Sequence, residues 1–302
     1  MTYMWEKPEW PSFNWSSSAV LDLLVAARFE QGRLLSLGSG FVHSFEISEL
    51  TNPLYLDLIE RNQGPLTEER LAGWQASLYP TGFAGVKRIH VGEIRTKDLS
   101  RSSLPPNNLR EELDKYLHWW TEPPVELDPV IRSALAFLWF MLISPFEAGN
   151  FEVGCACAEF ALQQSEKSPG RLYDVSVQLL ENKSEILQNI EARAAASGDI
   201  TAWIQQFLKH YLIATRSAYT IADKTQRAEK FWKANSSFDL NTRQRKILNL
   251  MLEENRTMTN REFKEICSTS RESAKRDLAE LVRLGILKTG EKKGRSIDYS
   301  LS

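Results

Sequence analysis

Cysteine is scarce in this sequence. There are three, Cys155, Cys157 and Cys267, an odd number with no paired CxxC spacing. That argues against a disulfide framework and against a structural zinc site, and the expected setting is a reducing cytoplasm. Long hydrophobic runs are missing too. The longest, within 134–143, is too short to cross a bilayer and lies mid-chain rather than behind a basic amino-terminal segment, so neither a membrane span nor a signal peptide is expected. Histidine is sparse, with four: His43, His90, His118 and His210. Surface or packing roles are expected for them, and for Cys155 and Cys157 burial as small apolar residues on different helix faces. No internal repeat and no nucleophile–base–orienter set is visible.

What is present is ordinary soluble material: 302 residues, 42% hydrophobic and 25% charged, enough for two or three domains and a sizeable core. The net charge of −2 hides an asymmetry. Residues 241–302 carry 14 Lys+Arg against 9 Asp+Glu, a net +5, while the remainder carries 23 against 30. A basic carboxy-terminal module with an anionic partner is the reading this favours.

Along the chain the signals are mostly helical. The opening, Tyr3 to Trp15, is rich in aromatics and holds two prolines, which predicts an extended arm pinned by its tryptophans. Ser16 to Ser18 offer N-caps for a helix whose apolar stripe is Leu21, Leu24, Val25 and Phe29. Gly38-Ser39-Gly40 marks a break. Thr67 to Tyr79 is a capped helix burying Leu71, Trp74 and Leu78, and Val86 to Gly92 is a short strand or extended loop. Arg101 to Asn108 connects to a helix with Leu109, Leu113, Leu117 and Trp120 on one face. Asp128-Pro129 opens a helix to Ile143 that is apolar nearly all round, hence central. Further helices are expected at 173–196 and 200–222.

Between the central helix and the next lies Ser144-Pro145-Phe146-Glu147-Ala148-Gly149-Asn150-Phe151-Glu152. Together with the aromatic opening, Leu66-Thr67-Glu68-Glu69-Arg70-Leu71-Ala72-Gly73-Trp74, Leu78-Tyr79-Pro80-Thr81-Gly82, Leu138-Trp139-Phe140 and Asp199-Ile200-Thr201-Ala202-Trp203, it resembles a Fic-domain protein. The subfamily it is similar to adds an amino-terminal domain and a carboxy-terminal winged helix. Such proteins typically transfer AMP from ATP to a protein hydroxyl through a loop of pattern H-P-F-x-D-G-N-G-R-x-x-R. The histidine is the general base, the acid holds Mg²⁺, and glycines and arginine cradle phosphate at a helix N-terminus.

Mapped here, the histidine is Ser144, the acid Ala148, the second glycine Phe151, the first arginine Glu152 and the last Cys155. Pro145, Phe146, Gly149 and Asn150 remain. Serine is no base at neutral pH, alanine binds no cation, glutamate repels a triphosphate, and Phe151 fills space a phosphate would need. The resemblance therefore implies a catalytic loop retained as a structural turn, with neither ATP nor Mg²⁺ bound. The family's inhibitory motif, S/T-x-x-x-E-G/N, is absent, and the target-docking hairpin between Val91 and Leu109 is trimmed. Glu147 and Glu152 could alternatively form a carboxylate pair.

From Asn241 the pattern reads as a winged helix independently of the family. Ile247, Leu248 and Met251 mark a first helix, and Thr259 to Glu262 is a capping box for a second with Phe263 and Ile266. Thr269-Ser270-Arg271-Glu272 opens a third that buries Ala274, Leu278, Leu281 and Val282 and stops at Gly285. Strands around Ile286-Leu287 and Ile297-Tyr299-Leu301 flank a basic tip. Ser270, Ser273 and Arg276 would face the major groove, with Lys292, Lys293 and Arg295 on phosphates. Glu272 and Glu280 on the same outer face oppose this.

The resulting expectation is a mainly α protein. An amino-terminal domain at 1–100 precedes a degenerate Fic-type helical bundle at 101–222, a linker at 223–240 and a winged helix-turn-helix at 241–302. Its expected function is that of a non-catalytic, DNA-binding regulator or scaffold, with a homodimer or a Fic-family protein as possible partner. The alternatives are a residual or altered nucleotidyl or phosphoryl transferase and an inhibitory or assembly partner of an active relative.

Overall fold

The computed structural model describes residues 3–8, 10–37, 54, 57–58, 64–99, 103–122, 126–166, 172–194, 198–290 and 297–302. The chain divides into two compact units, Met1–Tyr219 and Thr220–Ser302, and it is mainly α-helical.

In the first unit α1 (Ser17–Ser36) opens as expected, with the Ser16 hydroxyl accepting from Ala19 N at 3.3 Å. Its inward face is not the expected one. Val20, Ala27, Glu30, Gln31 and Leu34 are buried, whereas Leu21, Val25 and Phe29 are exposed. The reason is polar: Glu30 pairs with Arg33 and Arg216, and Gln31 bonds Arg28 and Glu166. These groups need protein partners, and satisfying them turns the apolar stripe outward. The amino-terminal arm is pinned as expected. Trp10 donates to Glu112 and stacks edge-on against Trp139, as does Phe13.

The second helix, α2 (Glu68–Leu78), is capped by Thr67, whose hydroxyl accepts from Arg70 N at 3.2 Å. It buries Gln75 beside Leu71 and Trp74, leaving Leu78 half-buried. A two-residue hairpin, β1 (Phe83–Ala84) and β2 (Lys87–Arg88), follows, so Val86 is a turn residue rather than part of a strand. The bundle then runs α3 (Leu109–Thr121), α4 (Pro129–Ile143), α5 (Asn150–Glu166), α6 (Val175–Glu181), α7 (Lys183–Ala194) and α8 (Thr201–Ala234).

The central helix α4 is capped by Asp128, which accepts from Val130 N at 2.8 Å, and residues 133–143 are buried without exception. α5 lies against it. A Cβ built at Gly154 would meet Met141 Sδ at 3.3 Å and the Phe137 ring at 3.4 Å, so the glycine sets how closely these helices approach. Cys155 and Cys157 are buried, and burial raises both thiols, Cys157 to about 12.

The expected linker is largely helical. α8 continues to Ala234 through a run of Lys, Gln, Arg, Glu and Ala, all good helix formers. In the second unit α9 (Thr242–Glu254) carries an Asn241/Gln244 capping box. β3 (Met258–Thr259) leads to α10 (Asn260–Ile266), which has a Thr259/Glu262 box, and then to α11 (Arg271–Arg283), β4 (Leu287–Thr289) and β5 (Asp298–Leu301). The sheet is antiparallel in the order β3-β5-β4. Leu240, Ile247, Leu248, Met251, Phe263, Ala274, Leu278 and Leu281 form its core, joined by Ile286 and Leu287. Val282 is only half-buried. Asp277, an acid on the inward side of α11, is buried because Arg243 pairs with it at 2.8 Å and Asn241 donates at 3.2 Å.

Candidate functional site

The loop between α4 and α5 is closed by its own polar groups. α4 ends at Ser144, which takes the left-handed conformation (φ 45°) that commonly caps a helix. Each carbonyl that the helix end would orphan has a donor. Ser144 N reaches Phe140 O at 2.8 Å, the Ser144 hydroxyl reaches Met141 O at 2.6 Å, and Leu104 N reaches Leu142 O at 3.0 Å. The Arg95 guanidinium takes Ile143 O at 3.3 Å and Ser144 O at 2.7 Å, while Arg95 N takes Pro145 O at 2.9 Å.

Arg95 also donates to Lys97 O and Leu104 O and is 3% exposed. Burial lowers its pKa, with Asp98 opposing that shift. Its position at the carbonyl end of the helix is where a cation is electrostatically favoured.

Asn150, Phe146 and Gly149 complete the turn. Asn150 accepts from Phe146 N at 3.0 Å and donates to Phe146 O at 2.7 Å, closing the loop on itself. Phe146 is buried at 2% exposure among the core aromatics. Gly149 has φ 82°, and a Cβ there would stand 2.8 Å from Tyr79 Cε2 and 3.2 Å from Leu78 Cδ1. The end of α2 is thus seated on the loop's glycine. Gln75 clasps the same edge, donating to Ala148 O at 3.2 Å and accepting from Gly92 N at 2.7 Å.

The positions that the resemblance maps onto catalytic groups are filled or paired. Phe151 is 3% exposed and packs edge-on against Phe137 at 5.3 Å. Glu152, in the first turn of α5, is held by Lys183 at 2.6 Å, and the Lys183 ammonium also lies 5.1 Å from the Phe151 ring. Glu147 does not pair with Glu152. Its partner is His90 Nδ1 at 3.1 Å, and that hydrogen bond, helped by the charges of His90 and Lys87, holds the Glu147 carboxyl below the usual glutamate range. A histidine outside the loop therefore does reach it. Among the described residues no group of three or more His, Cys, Asp and Glu side chains is arranged to hold a metal.

On α11 the expected base-facing residues separate. Ser270 is the N-cap, accepting from Ser273 N at 3.1 Å and donating to Ser273 Oγ at 3.0 Å, so both hydroxyls serve the helix start. Arg276 is exposed, as are Arg271 and Lys275. Glu280 accepts from Gln244 at 3.0 Å and lies 3.8 Å from Arg283, while 43% of its side chain remains exposed. Glu272 is exposed. Lys292, Lys293 and Arg295 lie outside the described residues.

Compared with known families, residues 3–60 match a domain of unknown function, DUF4172. No curated protein matches. Among solved structures, similarity is found to a Fic family protein from Desulfovibrio desulfuricans G20, at 13% identity over 94% of this chain and 85% of that one, with a TM-score of 0.47. It is also found to Fic-1 (aa134–508) from C. elegans, at 16% identity over 71% and 68%, with a TM-score of 0.44. A Fic domain containing signaling protein from Bacteroides thetaiotaomicron VPI-5482 matches at 16% identity over 70% and 89%, with a TM-score of 0.43. The likeness is to Fic proteins.

Arg95, Gln75, His90 and Lys183 carried no motif. They lie outside the loop in sequence and reach it only through the fold.

Two predictions follow from this packing. Gly149→Ala should cost about 1–3 kcal/mol through left-handed strain and the collision with Tyr79. Tyr79→Ala should recover part of it, read as a positive coupling in a double-mutant cycle of chemical unfolding. Because the folded Glu147 value is lowered, its contribution to stability is present above the ordinary glutamate range and lost as pH falls through the lowered value. His90→Ala should raise the Glu147 titration, which carboxyl NMR would detect directly; an unchanged midpoint would contradict the pairing.

Proposed function

We propose that the chain is a non-catalytic Fic-fold protein whose carboxy-terminal unit is a winged helix that binds DNA, and that it works as a regulator or scaffold. The observation that carries the first half is the loop's packing: Tyr79 and Leu78 against Gly149, and Phe151 against Phe137. In the resemblance those positions are the glycines that leave room for phosphate. Glu152 adds a carboxylate at the helix start where an anion would sit, and Ser144 commits its hydroxyl to Met141 O. On this reading the loop binds neither ATP nor Mg²⁺.

The second half is supported by the order of elements, three helices interleaved with an antiparallel sheet of order β3-β5-β4, and by the exposed Arg271, Lys275 and Arg276 on α11. Lys292, Lys293 and Arg295 follow β4 in sequence, where phosphate contacts from a wing would come. Because the Ser270 and Ser273 hydroxyls are joined at the cap, base contacts fall chiefly to Arg276 and its cationic neighbours. A cytoplasmic setting is part of the proposal. Among the described residues no helix is long and apolar enough to cross a membrane.

Duplex binding measured by anisotropy across salt tests this. Removing Lys292 and Lys293 together should weaken binding and flatten the salt slope by about 2, roughly one per phosphate contact, and Arg276→Ala should weaken it further. An affinity and slope unchanged by all three substitutions would defeat the DNA assignment.

One observation favours a second reading. His90 beside Glu147 is a titratable pair at the loop's edge, which a residual nucleotidyl or phosphoryl transferase could use. That reading requires saturable binding of MgATP. Calorimetry at millimolar nucleotide with no heat of binding removes it.

A further inference from the structure

The outward face of α1 is apolar in a particular order. Leu21, Val25 and Phe29 are 54%, 60% and 65% exposed, each four residues from the next. Small residues flank them, Ser18 before and Gly32 after, and a Cβ at Gly32 would meet nothing within 4 Å. Ser18, Leu21, Asp22, Val25, Arg28, Phe29 and Gly32 are arranged symmetrically about Val25. Small residues stand two helical turns away on either side, bulky apolar ones stand one turn away, and opposite charges lie between them and the centre.

We propose that this face is a self-association surface, in which α1 packs antiparallel against α1 of a second copy with Val25 at the two-fold axis. In that register Val25 meets the second copy's Val25 and Leu21 meets its Phe29. Ser18 faces its Gly32, where the missing Cβ gives the two backbones room.

Charge selects the direction. A parallel pairing would bring Asp22 against Asp22, whereas the antiparallel one sets it beside Arg28 of the second copy. Arg28 is already fixed at the edge of the face by Asp128, through Nε at 3.0 Å and a second nitrogen at 2.9 Å, and 35% of its side chain remains exposed. Antiparallel helix dipoles add in the same sense. One helix pair buries less than the roughly 1,200 Å² of a stable standard interface, so the dimer is reversible and concentration-dependent.

This inference is independent of DNA binding and of the loop. Sedimentation velocity of the full chain from about 1 µM to about 1 mM should show monomer passing to dimer, with a Kd of roughly tens to hundreds of micromolar. Val25→Glu, which sets two carboxylates face to face at an exposed position, should weaken it at least tenfold by that estimate while leaving circular dichroism unchanged.

In a Cys267→Ser background, Val25→Cys should cross-link to itself under mild oxidation. Leu21→Cys should cross-link only when mixed with Phe29→Cys. Monomer throughout the range, a dimer indifferent to Val25→Glu, or Leu21→Cys linking to itself as readily as Val25→Cys would each overturn the proposal.

Discussion

The fold of the first unit turns on one buried cation. Arg95 is inserted at the carbonyl end of the central helix, where its guanidinium and its backbone N–H satisfy groups from Ile143, Ser144 and Pro145 at once. Burying a guanidinium is costly unless its nitrogens are hydrogen-bonded, and here Lys97 O and Leu104 O add to Ser144 O and Ile143 O so that each nitrogen has an acceptor. The same contact ties Lys97 and Leu104 to the core. Because α4 is buried on all sides, it could not expose its last carbonyls to water, and a helix end of that kind needs such a clasp.

That clasp makes the turn after α4 rigid for reasons unrelated to chemistry. Ser144 caps, Phe146 fills the core, Asn150 closes the loop and Gly149 admits Tyr79. Each of these four residues has a structural duty in the turn that needs no chemistry to explain it. Phe151 has a ring partner in Phe137 and Glu152 has Lys183, so the loop is packed and paired.

Sequence patterns disclosed the parts whose physics is local. The Asp128-Pro129 start of α4, the Thr67 cap of α2 and the box at Thr259 all announced themselves, because caps are short-range chemistry. What stayed hidden depends on distant partners. Periodicity on α1 identified an apolar stripe but could not say which face was inside, since Glu30 and Gln31 find their partners on other elements. Arg95 sits among residues with no pattern, Gln75 is a polar residue inside an apolar-striped helix, and Asp277 is buried only because Arg243 arrives from another helix. At the candidate site, the replaced groups were readable from Ser144 to Glu152, while the groups that occupy the space, Tyr79, His90 and Lys183, were not.

The central claim is that this loop is a packed structural turn. Amide NMR on the full chain during titration with MgATP interrogates it residue by residue. The account predicts that the signals of Ser144, Phe146, Ala148, Gly149, Asn150 and Glu152 stay in place up to millimolar nucleotide. Saturable shifts focused on those residues would contradict it.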